Sequence, residues 1–263
     1  MLSAFPDNPI NIDQHSTQLT TMNIKPADRL NLVQEYYFSR KLKEVARLNS
    51  EGRDIISLAI GSPDMPPSQQ TIDKLAEVAS QSSAHGYQPT GGTPELRQAM
   101  AHFYKRWYDV DVNPDTEVLP LIGSKEGILH ITLALCNSGD KVLVPNPGYP
   151  TYTSLSKILG QQIVNYDLSE DNGWQPDFDA LEQMDLEGVK LMWTNYPNMP
   201  TGAPATGQLY AKLVDFGRRH GIMICNDNPY SFILNDNPIS ILAVPGALDC
   251  CLELNSLSKA HNM

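Results

Sequence analysis

Short apolar runs alternate with longer amphipathic stretches along most of this chain. The runs Ile55–Ile60, Val118–Ile122, Lys141–Val144, Ile163–Tyr166, Lys190–Thr194, Ile222–Cys225 and Cys250–Leu254 have the length of strands. Between them, Gln69–Ser80, Pro94–Tyr108, Glu126–Leu135, Tyr152–Leu159, Phe178–Met184 and Gln208–His220 read as helices. One more helix is predicted ahead of the first run, over Ala27–Asn49. There apolar residues recur at Leu30, Val33, Tyr37, Leu42, Val45 and Leu48 with charges between them, and Gly52 is placed to end it. Strands that alternate with helices need a crossover connection each time, which makes a mainly parallel sheet covered on both faces. The expected fold is therefore α/β, a three-layer sandwich around a central sheet. Residues 1–21 are polar and aperiodic and read as a loose arm or an overlong start. The expected division is an N-terminal arm and helix over 1–50 and one large domain over 51–263. No internal repeat, low-complexity tract or interdomain linker interrupts it.

Composition narrows the function. A chain of 263 residues with 41% apolar content can bury one substantial core. A formal net charge of -11 and a pI near 4.9 argue against a nucleic-acid surface or a polybasic membrane patch, both of which need clustered Lys and Arg. No stretch approaches a membrane span, and the first residues lack a basic region followed by an apolar one. Small-molecule partners and a cytoplasmic location are expected. Cys136, Cys225, Cys250 and Cys251 show no paired metal spacing, so buried free thiols are expected and no metal.

Several segments carry candidate chemistry, each beside a plainer reading. Gly123-Ser124-Lys125-Glu126-Gly127 opens a predicted helix, where free amides and the helix dipole can hold a phosphate; a tight turn would read the same way. Pro145-Asn146-Pro147-Gly148-Tyr149-Pro150 fixes a loop with one aromatic ring, which could stack on a flat heterocycle or pack on the core. Asn226-Asp227-Asn228-Pro229-Tyr230 puts a carboxylate at the C-terminal end of a strand, where open α/β sheets bind ligands; a turn Asp is the commoner case. Ser256-Leu257-Ser258-Lys259 sets a lysine after the last apolar run. Such a lysine is usually solvated, but at the end of a buried strand it can lose its proton and act as a nucleophile. Gly61-Ser62-Pro63-Asp64 and His85-Gly86-Tyr87 would be ordinary turns if each stood alone.

Taken in order from Gly61 to Lys259, these pieces resemble the class I/II aminotransferases of fold type I, which use pyridoxal 5'-phosphate (PLP). The resemblance implies that Lys259 carries the cofactor as a Schiff base and shuttles the substrate proton. It assigns Asp227 to the pyridine nitrogen, Tyr149 to ring stacking, Tyr230 to the phenolic oxygen, and Ser124, Lys125 and Ser256 to the phosphate. Gly61 would line the substrate site, and Tyr87 would reach the phosphate of a neighbouring subunit in a homodimer. The activity implied is transfer of an amino group between an L-amino acid and a 2-oxo acid, closest in look to the LL-diaminopimelate, alanine and aspartate branch. The segment Tyr196-Pro197-Asn198-Met199-Pro200-Thr201-Gly202 departs from the family pattern: Met199 stands where an asparagine is usual, and a thioether cannot donate the amide's hydrogen bond. Three alternatives stay open: Asn198 substitutes in that role, Tyr230 fills it alone, or the ring electronics differ. The resemblance also places more protein after the lysine, so the chain reads as a catalytic domain cut short. The alternatives are a non-catalytic PLP-binding or dimerising fragment, or a PLP-dependent lyase or synthase on the same fold.

Overall fold

The computed structural model describes residues 24–32, 37–58 and 61–263. Its centre is one five-stranded sheet, all parallel, in the order β2-β1-β3-β4-β5. The strands are β1 Lys141–Asn146, β2 Gln162–Asp167, β3 Val189–Thr194, β4 Met223–Asn228 and β5 Cys251–Asn255. The helices are α1 Tyr37–Ser50, α2 Gln69–Ala79, α3 Pro94–Tyr108, α4 Ser124–Leu135, α5 Pro150–Leu159, α6 Phe178–Glu182 and α7 Gly207–His220.

Alternation along the strands divides the core in two. Leu143, Met192, Ile224 and Cys251 point to one face, where they pack with Leu209, Leu213 and Phe216 of α7. Val142, Val144, Leu191, Trp193, Cys225 and Leu254 point to the other, against Ile128 of α4 and Tyr152 of α5. Burial on both faces explains the continuously apolar runs of the inner strands β1, β3 and β4. The layers are thus helix, sheet and helix. All four cysteines are buried and free.

Local signals set the helix ends. Thr93 and Thr206 accept from the third residue beyond them at the starts of α3 and α7, at 3.3 and 3.1 Å. Gly160 and Gly221 end α5 and α7 in the left-handed region that side chains disfavour.

Three expectations from the pattern are corrected. The helix predicted over Ala27–Asn49 is a short 3-10 turn at Asp28–Leu32 and then α1, while Val33 lies outside the described residues. Neither element buries a residue, so the apolar spacing there does not mark a buried face. The runs Ile55–Ile60 and Val118–Ile122 form no strand among their described residues; Ala59 and Ile60 lie outside these. A strand needs a ladder as well as an apolar pattern. Without one, Ile56 and Leu58 stay 85% and 92% exposed and Ile122 95%.

Gly217 shows how tightly α7 sits on the sheet. A Cβ there would lie 2.8 Å from Ile224 Cγ1 and 2.9 Å from the Ile222 carbonyl oxygen. Gly217→Ala is expected to destabilise the protein, because overpacking of about 1–3 kcal/mol outweighs about 1 kcal/mol of helix propensity. Gly207→Ala, where nothing lies within 4 Å, is the control and should be neutral or better in urea denaturation.

Candidate active site

Parallel strands send all their C-terminal ends to one edge, and the loops leaving that edge carry the candidate residues. β1 leads to Tyr149, β3 to the segment Asn195–Gly202, β4 carries Asp227 next to its last residue and leads to Tyr230, and β5 leads to Ser256 and Lys259. In the β4–β5 ladder Asp227 lies opposite Leu254.

Asp227 is the electrostatic centre. It is buried, and burial pushes its carboxyl up to about 6 from an ordinary 3.8. Tyr152 of α5 opposes that rise by donating to Oδ2 at 2.9 Å. The other oxygen, Oδ1, is buried and has no hydrogen-bond partner among the described residues. An unsatisfied buried carboxylate oxygen is costly and fits a protonated donor from a bound group. Beside it stands an aromatic series: Tyr149 meets Tyr152 edge to face at 5.6 Å, and Tyr152 stacks on Trp193 at 5.1 Å with planes 3° apart.

Ser124 and Lys125 occupy the first turn of α4, behind Gly123 at φ +94°. Glu126 bonds back to the Ile122 amide at 2.5 Å, which closes that turn. α4 approaches β5 closely at Gly127, where a Cβ would meet Leu254 at 2.6 Å and Leu121 at 2.7 Å. That contact brings the start of α4 towards the exit of β5. On the exit turn, Ser256 Oγ accepts from the Ser258 amide at 3.1 Å. Lys259 Nζ donates to the Gly61 carbonyl at 3.1 Å, so two candidates 198 residues apart in sequence meet directly. A cleft of about 410 Å³ adjoins them, lined by Pro63, Asp64, Met65, Ser68, Lys259 and His261 among others. Asp227 and Tyr149 are not in its lining. Tyr230 is half-buried on the loop after β4, with Ile233 bonding back to its carbonyl at 3.0 Å. Tyr87 is fully exposed.

Asn198 is buried within its loop. Its amide nitrogen donates to the Asn195 carbonyl at 3.1 Å, and its oxygen accepts from Thr201 Oγ1 at 2.7 Å. The side chain is therefore already engaged in shaping the turn around Met199.

Sequence reasoning missed two residues of this site. Tyr152 was read only as part of a helix, although it lies one turn after Tyr149 and could have been found by that spacing. Asn195 donates to the Asp227 carbonyl at 2.6 Å and accepts from the Met199 amide at 2.8 Å, and no local signal marks it. Among the described residues, no three His, Cys, Asp or Glu are placed to share a metal ion.

The raised Asp227 value has a thermodynamic consequence. Between about pH 4 and 6 the folded chain binds more protons than the unfolded one, so stability falls as pH rises through that window. The loss amounts to about 3 kcal/mol at most. In cofactor-free protein, Asp227→Asn should match the parent near the low end and exceed it above the high end. Urea denaturation at the two ends checks this, and an equal difference at both would contradict a charge buried without compensation.

The family model for aminotransferase class I and II matches residues 53–263. The chain is 41% identical over 242 residues to the LL-diaminopimelate aminotransferase of Dehalococcoides mccartyi strain BAV1, covering 91% of this chain and 62% of that protein. It is 41% identical over 239 residues to the enzyme of the same name from Aquifex aeolicus, covering 90% and 62%. Among solved structures, apo BacF from Bacillus subtilis superposes with a TM-score of 0.85 at 40% identity, covering 92% of this chain and 62% of that one. A mutant of Thermus thermophilus aspartate aminotransferase reaches the same TM-score at 23% identity, a likeness of fold alone, covering 91% and 62%. The chain thus spans about 62% of the length of these relatives. With its parallel sheet, its edge of strand-end residues and a match over most of its length, this chain belongs to the class I and II aminotransferase family.

Proposed function

We propose that this chain is the cofactor-binding part of a PLP-dependent aminotransferase that exchanges an amino group between an L-amino acid and a 2-oxo acid. The observation that carries the reading is Asp227, whose open, buried Oδ1 lies beside the aromatic series headed by Tyr149. When bound, PLP supplies an electron-withdrawing ring that acidifies the α-carbon of an attached amino acid.

The protein's own residues do the rest. Asp227 would bind the protonated ring nitrogen, and its burial strengthens that pairing by excluding water. Tyr149 would lie against the ring and set its plane. The first turn of α4, with Ser124 and Lys125, would take the phosphate together with Ser256, where amides and a helix dipole favour an anion. Tyr230 would donate to the phenolic oxygen. Lys259 would hold the cofactor covalently and, once released, move the proton from the substrate α-carbon as base and then acid. Gly61, already against the lysine amine, would border the substrate. Tyr87 would complete the phosphate site of a second subunit in a homodimer, and its full exposure supports that reading. Residues 51–263 would make up the large domain, preceded by an arm and helix. Four buried free thiols support a reducing compartment such as the cytoplasm. Identity of 41% to LL-diaminopimelate aminotransferases supports LL-diaminopimelate as the first amino donor to test.

The test is an absorption spectrum of the purified chain with PLP, compared with Lys259→Ala. The expected result is a cofactor band present in the parent and lost in the variant, which LL-diaminopimelate, alanine or aspartate converts to the amine form. A Lys259-dependent band that no amino acid changes would leave a cofactor-binding fragment, and no band at all would overturn the reading.

A further inference from the structure

One acid has no part in the chemistry above. Glu253 of β5 is half-buried with both oxygens turned to protein donors, loss of water raises its carboxyl above the ordinary range, and no ion pair reaches it among the described residues. A carboxylate drawn out of water without a cation is costly. Four donors offset the cost. Oε1 accepts from Tyr104 of α3 at 3.1 Å and Ser240 at 2.8 Å; Oε2 accepts from Asn226 Nδ2 and the Ile241 amide, each at 3.2 Å.

The contact with Asn226 reaches the site. Asn226 faces Glu253 directly in the β4–β5 ladder. A carboxylate only accepts, so the Asn226 amide must turn its nitrogen to Glu253 and its oxygen to β3. That oxygen then accepts from Thr194 Oγ1 at 3.1 Å and the Tyr196 amide at 3.2 Å, while the nitrogen also donates to Tyr210 of α7 at 3.1 Å. Between Thr194 and Tyr196 sits Asn195, which bonds the Asp227 carbonyl. Asn226 and Asp227 are consecutive, so they face opposite sides of the sheet. The α7 side holds the amide network, and the α5 side holds Asp227 against Tyr152.

We propose that Glu253 is a positioning residue for the Asp227 site: from the far face of the sheet it fixes the Asn226 amide, and Asn226 locks the exits of β3 and β4 so that Asp227 meets Tyr152. The functional meaning rests on the cofactor reading of Asp227. The ionisable groups around Glu253 are Tyr104 and Tyr108 from α3, Tyr210 from α7 and Cys251 on its own strand. Asp227 is faced by Tyr152 from α5 and by Glu253 through the sheet. None of these is a cation.

The experiment uses the full chain without cofactor, with carbon-13 in its aspartate carboxyls and Asp227 assigned through Asp227→Asn. The titration midpoint of Asp227 is followed in the parent, Glu253→Gln and Glu253→Asp, and the dissociation constant for PLP is measured on each. Glu253→Gln is expected to move the midpoint to lower pH, by removing a like charge and loosening the enclosure, and to weaken PLP binding by about tenfold. Glu253→Asp keeps the charge but loses the reach, and should weaken binding similarly. An unmoved midpoint in folded Glu253→Gln, or Glu253→Asp binding as the parent does, would overturn the proposal. If Glu253→Gln does not fold, Tyr104→Phe and Ser240→Ala each remove one donor and should give smaller shifts in the same direction; unmoved midpoints in both would also overturn it. Should the parent bind no PLP, the cofactor reading fails, and the Asp227 midpoint still decides the role of Glu253.

Discussion

A carboxyl group held out of water with one oxygen left open is the constraint around which this structure is arranged. Among the described residues Asp227 receives one side-chain hydrogen bond, from Tyr152, and none of them satisfies its second oxygen. Such a group persists only when the surrounding packing determines its place. Here Tyr152 is itself fixed by stacking on Trp193, a fully buried β3 residue, and by sitting in the α5 face of the core. The apolar core thus serves the polar atom. Removing water raises the proton affinity of Asp227, and the same exclusion makes any cation placed at Oδ1 hold more tightly.

The parallel sheet explains how residues so far apart in sequence reach one edge. Each crossover returns the chain to the same starting edge, so every strand delivers its last residues to the same side. Lys259 and Gly61, 198 positions apart in sequence, touch, and Tyr104 reaches Glu253 over a separation of 149. No single loop contains the site, and its geometry is that of the sheet.

The sequence made visible what is encoded locally. Apolar runs marked all five strands, most plainly β1, β3 and β4, which are buried on both faces and have little polar alternation to blur them. Amphipathic spacing marked the helices, and motif order pointed to Asp227, Tyr149 and Lys259. Partnership across the fold stayed hidden. Asn195, Asn226 and Glu253 are ordinary residues in their own segments and gain meaning only from what faces them in the folded chain. The same limit misled the reading of Ile55–Ile60 and Val118–Ile122: an apolar run states a demand for burial without naming a partner, and among the described residues no strand supplies one.

Register links these points. Because strand side chains alternate, a slip of β4 by one residue would exchange Asn226 and Asp227 between the faces. Asp227 would then face Glu253, two carboxyl groups drawn largely out of water, while an amide would stand before Tyr152. Coulomb repulsion at short range in low dielectric makes that arrangement strongly unfavourable, whereas the observed register pairs Glu253 with the Asn226 amide nitrogen. The cost of burying Glu253 therefore has a return beyond the hydrogen bonds it makes. An apolar residue at 253 would tolerate either register, but a carboxylate at that position accepts only the one that turns Asp227 towards the site.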